Sequence, residues 1–329
     1  MREDSRTAAA FAAAVWPIYI RPIMDTNRLH NHDLDLQRES VVSLKDLCWL
    51  AYLYPVRWIA RIAPGVVLGL QRPGGWLAKR FAKAQRRRLA TRMRVAGFAE
   101  DRIDSLIDRY LDRAVWRALL DLVIDHAAPQ IRPDAIAVEG LEHLRNAQAM
   151  GRGVLLASGH FFASRLAKRV LRDRGLPIVS VRHPAPPDPG AGRVGRQWLQ
   201  ACYMRFLHTV IGDEIFIETP DCSLKIMQRL RAGELVNVHV DSPFASRSVK
   251  HPFLGRDQTF TTNFIRLASL AGSPIVPFFF SGDHRRLRIT FEPPLDPAGP
   301  PDGLLSCILH RLEVEVRLRP EDYELWIML

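Results

Sequence analysis

Short β-rich runs alternate with helical stretches through the second half of this 329-residue chain, and this alternation restricts the fold more than any other feature. The β-rich runs cover 153–158, 177–181, 234–240, 273–280 and 287–291. Helical stretches fall between them near 161–175, 193–208, 220–232 and 261–271. The alternation predicts an α/β fold with a mixed, largely parallel sheet flanked by helices, and it places reactive groups at the carboxyl ends of strands.

The apolar stretch at 47–70 is too interrupted to span a bilayer, which needs about 20 clean apolar residues. The interruptions are Pro55, Arg57, Arg61 and Pro64. We expect a helix that lies in the membrane interface, with Arg57 and Arg61 on one face beside Trp49 and Trp58 at headgroup depth. A pair of helices packed on the core of the same domain is the alternative interpretation.

Helical spacing continues from 75 to 128, and its first part is strongly basic. Eight Lys and Arg residues fall between 79 and 94 with no acid among them, and the whole chain carries a formal charge of +11. A cationic helix of this kind suits an anionic lipid surface. A nucleic-acid groove is disfavoured because no recognisable module accompanies the charge, and a merely solvated face remains open.

These features divide the chain into three parts. Residues 1–43 form an Ala-rich segment and a polar linker, 44–130 a helical membrane-associating region, and 131–329 an α/β region continuous with it. The four cysteines show no CxxC pair and no zinc spacing, so we expect reduced thiols and no metal.

A histidine follows the first β-rich run directly, in Gly159-His160-Phe161. We expect it at the opening of a helix, where the helix dipole lowers the imidazole pKa and keeps His160 neutral and able to accept a proton. A polar residue that simply caps the helix is the other interpretation.

Five segments follow the helical entry at 49–94, and they are EGLEHLRNAQAMGRGVLLASGHFF (139–162), VRHP (181–184), LRAGELVNVHVD (230–241), HPFLGR (251–256) and FIRLASLAGSPIVPFFF (264–280). Their order and spacing make the chain resemble the bacterial lipid A lauroyl/myristoyl (late) acyltransferases of the wider glycerolipid acyltransferase superfamily. The resemblance implies that His160 is a general base and that a carboxylate five residues later orients it. This chain departs there, because the position holds Arg165.

Asp241 is the candidate replacement for the missing carboxylate. It corresponds to an acidic family position after a strand, and Asn237, His239 and Asp241 alternate so that they share one strand face. We therefore expect Asp241 either to accept a hydrogen bond from His160 or to cap its own turn. Arg165 is then a candidate substrate-binding group.

The resemblance also implies substrate-binding residues elsewhere. Arg182 corresponds to a family arginine near the active site, suited to a phosphate or an oxyanion. Arg247, Lys250 and Arg256 flank the HPFLG segment, and Gly255 is its last residue. An acceptor headgroup or a phosphopantetheine arm is expected there, and a solvated surface role is the alternative for Lys250 and Arg256.

The resemblance implies an acyltransferase that uses an acyl carrier protein or coenzyme A thioester, without metal or redox cofactor. The expected acceptor is a lipid or a small metabolite, the expected place is the cytoplasmic face of the bacterial inner membrane, held peripherally, and nucleic acid is not an expected partner. No Walker, dinucleotide-binding, GxSxG or HExxH motif supports another chemistry. A non-catalytic relative that binds lipid or carrier is the alternative, because of Arg165.

Overall fold

A seven-stranded sheet forms the centre of the computed structural model, which describes residues 42–127, 135–183, 192–242 and 248–327. Its strands are β1 (Ile136–Glu139), β2 (Val154–Ser158), β3 (Ile178–Arg182), β4 (Glu214–Phe216), β5 (Leu235–His239), β8 (Ile275–Asp283) and β9 (Arg286–Phe291). Their order is β1-β9-β8-β2-β5-β3-β4, and only the β8–β9 pair is antiparallel. The predicted mixed, largely parallel α/β fold is therefore confirmed.

Helices precede the sheet and flank it. Those before it are α1 (Leu44–Ala51), α2 (Arg57–Ile62), α3 (Pro64–Gly69), α4 (Gln71–Phe81), α5 (Lys83–Val95) and α6 (Glu100–Ala127), with a π-helical turn at Tyr52–Val56. Those that follow are α7 (Leu141–Gln148), α8 (Ser164–Asp173), α9 (Gln200–Ile211), α10 (Cys222–Arg231), α11 (Asn263–Ala271) and α12 (Pro301–Leu318). A π-helical turn at Gly195–Leu199 leads into α9, and two 3₁₀ turns, Pro320–Asp322 and Glu324–Ile327, end the described chain.

The central strands are apolar and fully buried, which is why their short runs were legible in the sequence. The residues of β2 are all buried, and so are Phe278, Phe279 and Phe280 of β8. The sequence patterns missed β1, β4 and the antiparallel hairpin of β6 (Ser248–Phe253) and β7 (Arg256–Thr261). These strands are short or carry mainly polar residues, so tertiary pairing rather than local pattern holds them.

The N-terminal helices present two different faces. Trp49 packs edge-on against Tyr203 of α9 with ring centroids 5.4 Å apart, and the Arg57 guanidinium lies 3.7 Å from the Phe206 ring centroid. The expectation that Trp49 reaches headgroup depth is thus wrong, because that ring is buried and packed on α9, whereas the expectation for Arg57 and Arg61 stays a prediction. Trp58 is different, with 64% of its surface exposed. No helix in the described part of the chain has the length and apolarity needed to cross a membrane.

Acidic residues of α6 neutralise part of the basic run. Lys79 pairs with Asp112 at 2.6 Å, Arg86 pairs with Asp108 and Asp104, and Arg94 pairs with Glu100. Five exposed cations on α4 and α5 have no carboxylate partner among the described residues. They are Arg72, Arg80, Lys83, Arg87 and Arg88.

Candidate active site

The ends of β2 and β5 bring the histidine and its candidate acid together. These strands are parallel neighbours in which Ser158 is the partner of His239, and the Val240 N–H donates to the Ser158 carbonyl at 2.8 Å. Gly159 lies in a crowded position next to this pairing. A Cβ there would lie 2.5 Å from the Leu312 side chain and 3.1 Å from an oxygen of Asp241. The two chains therefore leave the sheet side by side, with His160 against Asp241.

Asp241 holds His160 through two hydrogen bonds. Nδ1 of the imidazole lies 2.7 Å from Oδ1, and the His160 backbone N–H donates to Oδ2 at 2.8 Å. The Asp241 side chain is 1% exposed and the His160 side chain 28%. A carboxylate only accepts, so Nδ1 carries the proton and Nε2 is left with a lone pair. The pair therefore has the arrangement of a general base and its orienting acid.

The local environment of His160 differs from the sequence-based expectation in two ways. Helix α8 begins at Ser164 rather than at the histidine. Burial lowers the pKa of His160, but the charge and hydrogen bond of Asp241 raise it, and the pKa lies above its ordinary value of 6.5. The expected lowering of the pKa is wrong because the effect of the Asp241 carboxylate outweighs that of burial.

A second histidine lies against the first. The rings of His160 and His239 stack with centroids 4.2 Å apart and an interplanar angle of 26°. Nδ1 of His239 is 2.9 Å from the Gly159 carbonyl, so it carries the proton, and it lies 3.3 Å from Oγ of Ser158. Burial, His160 and the nearby Lys168 lower the pKa of His239 well below 6.5. His239 is therefore a neutral ring, and the sequence assigned it no role beyond its strand face.

Asn237 and His239, two members of the predicted common face of β5, meet at one hydroxyl, and His239 and Asp241 lie together against His160. Asn237 Nδ2 donates to Oγ of Ser158 at 2.8 Å, and His239 contacts the same hydroxyl. Within the described residues, His160, His239 and Asp241 form the one group of His, Cys, Asp and Glu side chains close enough to hold a metal ion. Nδ1 of each ring is already hydrogen-bonded, so we interpret the group as an acid–base site. The predicted independence from metal stays a prediction.

The comparison with protein families agrees with this geometry. The model of the bacterial lipid A biosynthesis acyltransferases matches residues 40–328. The chain belongs to this family. The match covers both the N-terminal helices and the α/β region, so the helical region is part of the family architecture rather than an addition. A comparison with curated proteins finds no match.

In this member of the acyltransferase family, Arg165 points away from the dyad toward α6. Nη1 lies 2.6 Å from Oδ2 of Asp121, which is fully buried, and 3.1 Å from the Tyr203 hydroxyl. Tyr203 itself donates to Asp121 at 2.6 Å, and Arg117 pairs with the other carboxylate oxygen. Arg165 thus joins α8 to α6 and α9. Its predicted role in substrate binding stays a prediction.

Arg182, at the end of β3, is engaged by Glu214 of β4. Two of its nitrogens contact the two carboxylate oxygens, with Nη2 to Oε2 at 2.9 Å, and the guanidinium lies 4.9 Å from the Phe216 ring centroid. The Glu214 side chain is 2% exposed. A phosphate or oxyanion would therefore meet an arginine that is already oriented by a buried acid, and this predicted role also stays a prediction.

Lys168 of α8 is a buried cation that the sequence did not single out. It is 5% exposed, and Nζ donates to Oγ of Ser180 in β3 at 3.0 Å. Burial lowers its pKa from 10.5 to about 7, Glu214 opposes this, and Arg165 and Arg182 add to it. The burial of this lysine would have been predictable from the sequence only if Lys168 lay within a clearly apolar helix face. The sequence of α8 mixes charged and apolar residues, so Lys168 did not stand out.

Two of the remaining predicted residues, Lys250 and Gly255, belong to the β6–β7 hairpin. Lys250 is exposed on β6, and Arg247 lies outside the described residues. Gly255 turns the hairpin with φ +79°, and a Cβ there would lie 1.9 Å from the Val95 carbonyl, so the turn packs on the end of α5. Gly255 also lines a cleft of about 350 Å³ with His251 and His310. No hydrogen bond or ion pair between described residues joins Lys250 or Gly255 to the dyad.

Proposed function

We propose that this chain transfers a fatty acyl group from a thioester donor to a hydroxyl or amine of a lipid or metabolite, with His160 as general base. Family membership supports acyl transfer to a lipid. The proposal that His160 is the general base rests on its 2.7 Å contact with Asp241. It supplies the orienting carboxylate that position 165 lacks.

The chemistry needs only this pair and two substrates. Nε2 of His160 takes the proton from the acceptor, whose oxygen or nitrogen attacks the thioester carbonyl carbon. The C–S bond breaks, and the departing thiolate takes the proton back from the imidazolium. Asp241 stabilises the imidazolium and fixes the tautomer, and general-base assistance of this kind contributes about 10² to 10⁴ in rate. No covalent acyl-enzyme is required.

The donor proposed is an acyl carrier protein or coenzyme A thioester, and no metal or redox cofactor takes part. The formal charge of +11 favours an acidic carrier protein or a nucleotide phosphate. A lipid hydroxyl is the acceptor that late lipid A acylation would require. A metabolite amine or hydroxyl is the alternative.

We propose further that the protein works while held peripherally on the cytoplasmic face of the bacterial inner membrane. A belt of exposed apolar side chains runs along α1 to α4, which we call the apolar belt. Its members are Leu47, Leu50, Tyr54, Trp58, Ile59, Ile62, Val66, Leu70, Trp76 and Phe81. The five unpartnered cations of α4 and α5 adjoin it in sequence, and cations beside exposed aromatics suit an anionic headgroup layer.

The non-catalytic alternative rested on Arg165 in place of the family acid. Asp241 occupies the position an orienting acid needs, and Arg165 has a partner of its own in Asp121. Both contacts favour the enzyme over a relative that only binds lipid or carrier.

The deciding experiment incubates the purified protein with radiolabelled acyl carrier protein or acyl coenzyme A and a bacterial lipid extract, and then identifies the labelled product. Label in a lipid or metabolite with wild type, and none with His160→Ala, is the expected result. Donor binding without transfer by the wild type would favour the binding protein. Equal labelling by both proteins would remove His160 as the base.

A further inference from the structure

The C-terminal end of the described chain is paired with the loop that carries His160. The Glu324 N–H donates to the His160 carbonyl at 2.8 Å, and the Phe162 N–H donates to the Asp322 carbonyl at 3.0 Å. Phe161 and Tyr323 form the antiparallel bridge between these two bonds. The backbone on both sides of the catalytic loop is therefore fixed by residues 322–324.

Tyr323 lies at the centre of this pairing with its side chain fully buried. Its ring packs edge-on against Phe161, Phe253 and Trp326, with centroid distances of 5.8, 6.4 and 5.7 Å. These contacts use only the ring, and phenylalanine would satisfy them equally. The hydroxyl therefore needs a separate explanation.

By distance and angle that hydroxyl makes no hydrogen bond within the described residues, but the Asp241 carboxylate is close enough to act on it as a hydrogen-bond acceptor. A buried donor without a partner destabilises the folded state, and such groups in native structures call for a functional or structural reason. The charged group that acts on this phenol is Asp241. Burial raises the pKa of Tyr323 well above 10, and the Asp241 carboxylate raises it further.

Asp241 has room for a third donor. Oδ1 accepts from Nδ1 of His160 and Oδ2 accepts from the His160 backbone. Each carboxylate oxygen has two lone pairs, so two acceptor positions remain after these bonds. A phenol beside the carboxylate is suited to fill one of them with a small adjustment of its geometry.

We propose that Tyr323 is a positioning residue whose hydroxyl donates to Asp241 and holds the carboxylate in place and ionised while it supports the charged His160. This inference rests on the proposed function of His160. It makes the C-terminal segment part of the active site, because both the histidine backbone and its acid are then held by residues 322–324.

The test has to distinguish the effect of the Tyr323 hydroxyl on the His160 pKa from the effects of the other groups near the imidazole. They come from the strand ends, from the C-terminal segment and from α8, and they are Asp241, His239, His183, Glu324 and Lys168. Tyr323→Phe changes none of these charges and keeps the ring packing. Tyr110→Phe is the matched control, because Tyr110 is buried and its hydroxyl donates to the Glu324 carbonyl at 3.0 Å rather than to Asp241.

The experiment measures the His160 titration by NMR with ring-labelled histidine, using His160→Gln to assign the signal, together with thermal stability and turnover. Loss of the phenol bond leaves Asp241 with more negative charge for the imidazole. In Tyr323→Phe the His160 pKa should therefore rise by on the order of half a pH unit. Turnover should fall without a lower melting temperature, whereas Tyr110→Phe should keep the wild-type titration.

An unchanged His160 titration in Tyr323→Phe would overturn the inference. Parallel losses of turnover and melting temperature in both variants would also overturn it, because they would indicate packing alone. The NMR readout does not depend on turnover. A wild type that transfers no acyl group, but whose His160 pKa shifts in Tyr323→Phe, would therefore contradict the proposed function and not the contact with Asp241.

Discussion

Nδ1 of His160 lies 2.7 Å from Oδ1 of Asp241, although 81 residues separate them in the chain. The relationship follows from the parallel pairing of β2 with β5, which aligns Ser158 with His239. The acid that supports the histidine thus comes from a neighbouring strand end instead of the next helical turn.

The first prediction concerns this pair. His160→Ala and Asp241→Asn should each lower kcat by at least about tenfold to a hundredfold while the fold survives. The double variant should lose little more than His160→Ala alone, because the two groups act as one unit. The measurement is steady-state kinetics with Asp173→Asn as control, since that carboxylate is 44% exposed and pairs with its helix neighbour Arg169 at 3.0 Å. Additive losses of kcat in the double variant would show that the two residues act independently.

The second prediction concerns pH. The free enzyme needs an unprotonated His160, so kcat/KM should rise with pH through the His160 pKa. Burial lowers that pKa, Asp241 raises it more, and the midpoint should lie above 6.5. Asp241→Asn removes the charge, so the midpoint of the residual activity should move to lower pH. A midpoint that stays in place in this variant would disagree with the assignment.

The third prediction concerns Arg165. Arg165→Glu would place a carboxylate against the buried Asp121 and should lower the free energy of unfolding by about 3–5 kcal/mol, without restoring a family-type dyad. Lys225→Glu is the control, because Lys225 pairs with Asp221 at 2.9 Å with both side chains about half exposed, and such surface pairs contribute little to stability. Chemical denaturation measures both. A stable and more active Arg165→Glu variant would show instead that the wild-type dyad is impaired because it lacks the carboxylate that the family has at this position.

The fourth prediction concerns Lys168. Burial is the main cause that lowers its pKa to about 7 from 10.5. Between these values the unfolded chain binds a proton that the folded chain lacks, so this group makes stability rise with pH from about 7 upward. Lys168→Met should remove that rise and stabilise the protein most below pH 7. Urea midpoints at several pH values test it, and identical slopes in both proteins would contradict it.

The fifth prediction concerns the membrane. Replacing Trp58 and Trp76 by Ser should weaken binding to anionic vesicles roughly tenfold or more, because each is 64% exposed in the apolar belt. Leu270→Ser is the control, since Leu270 is 68% exposed on α11 outside the belt. Vesicle sedimentation measures binding, which should fall as salt rises. Equal binding to neutral vesicles would remove the electrostatic part of the proposal.

Most strands of the sheet and the position of His160 could be predicted from the sequence, because the local spacing of apolar residues encodes them. Buried parallel strands have short apolar sequences, so the positions of β2, β3, β5 and β8 could be predicted to within a few residues. The position of His160 after a strand was legible for the same reason. The edge strand β4, three residues long, carries too little pattern to be recognised.

The ion pairs between distant segments depend on the tertiary structure, and apart from the candidate pair of His160 and Asp241 they could not be predicted from the sequence. Asp121 lies 44 residues before Arg165 and was in no motif, yet it gives that arginine a buried partner. Asp241 reverses the expected direction of the His160 pKa, and burial is the main cause that lowers the pKa of Lys168 to about 7. Local periodicity fixes where a side chain points from its own strand or helix. Electrostatic interactions depend on distance and burial across elements, and the order of strands in the sheet sets both.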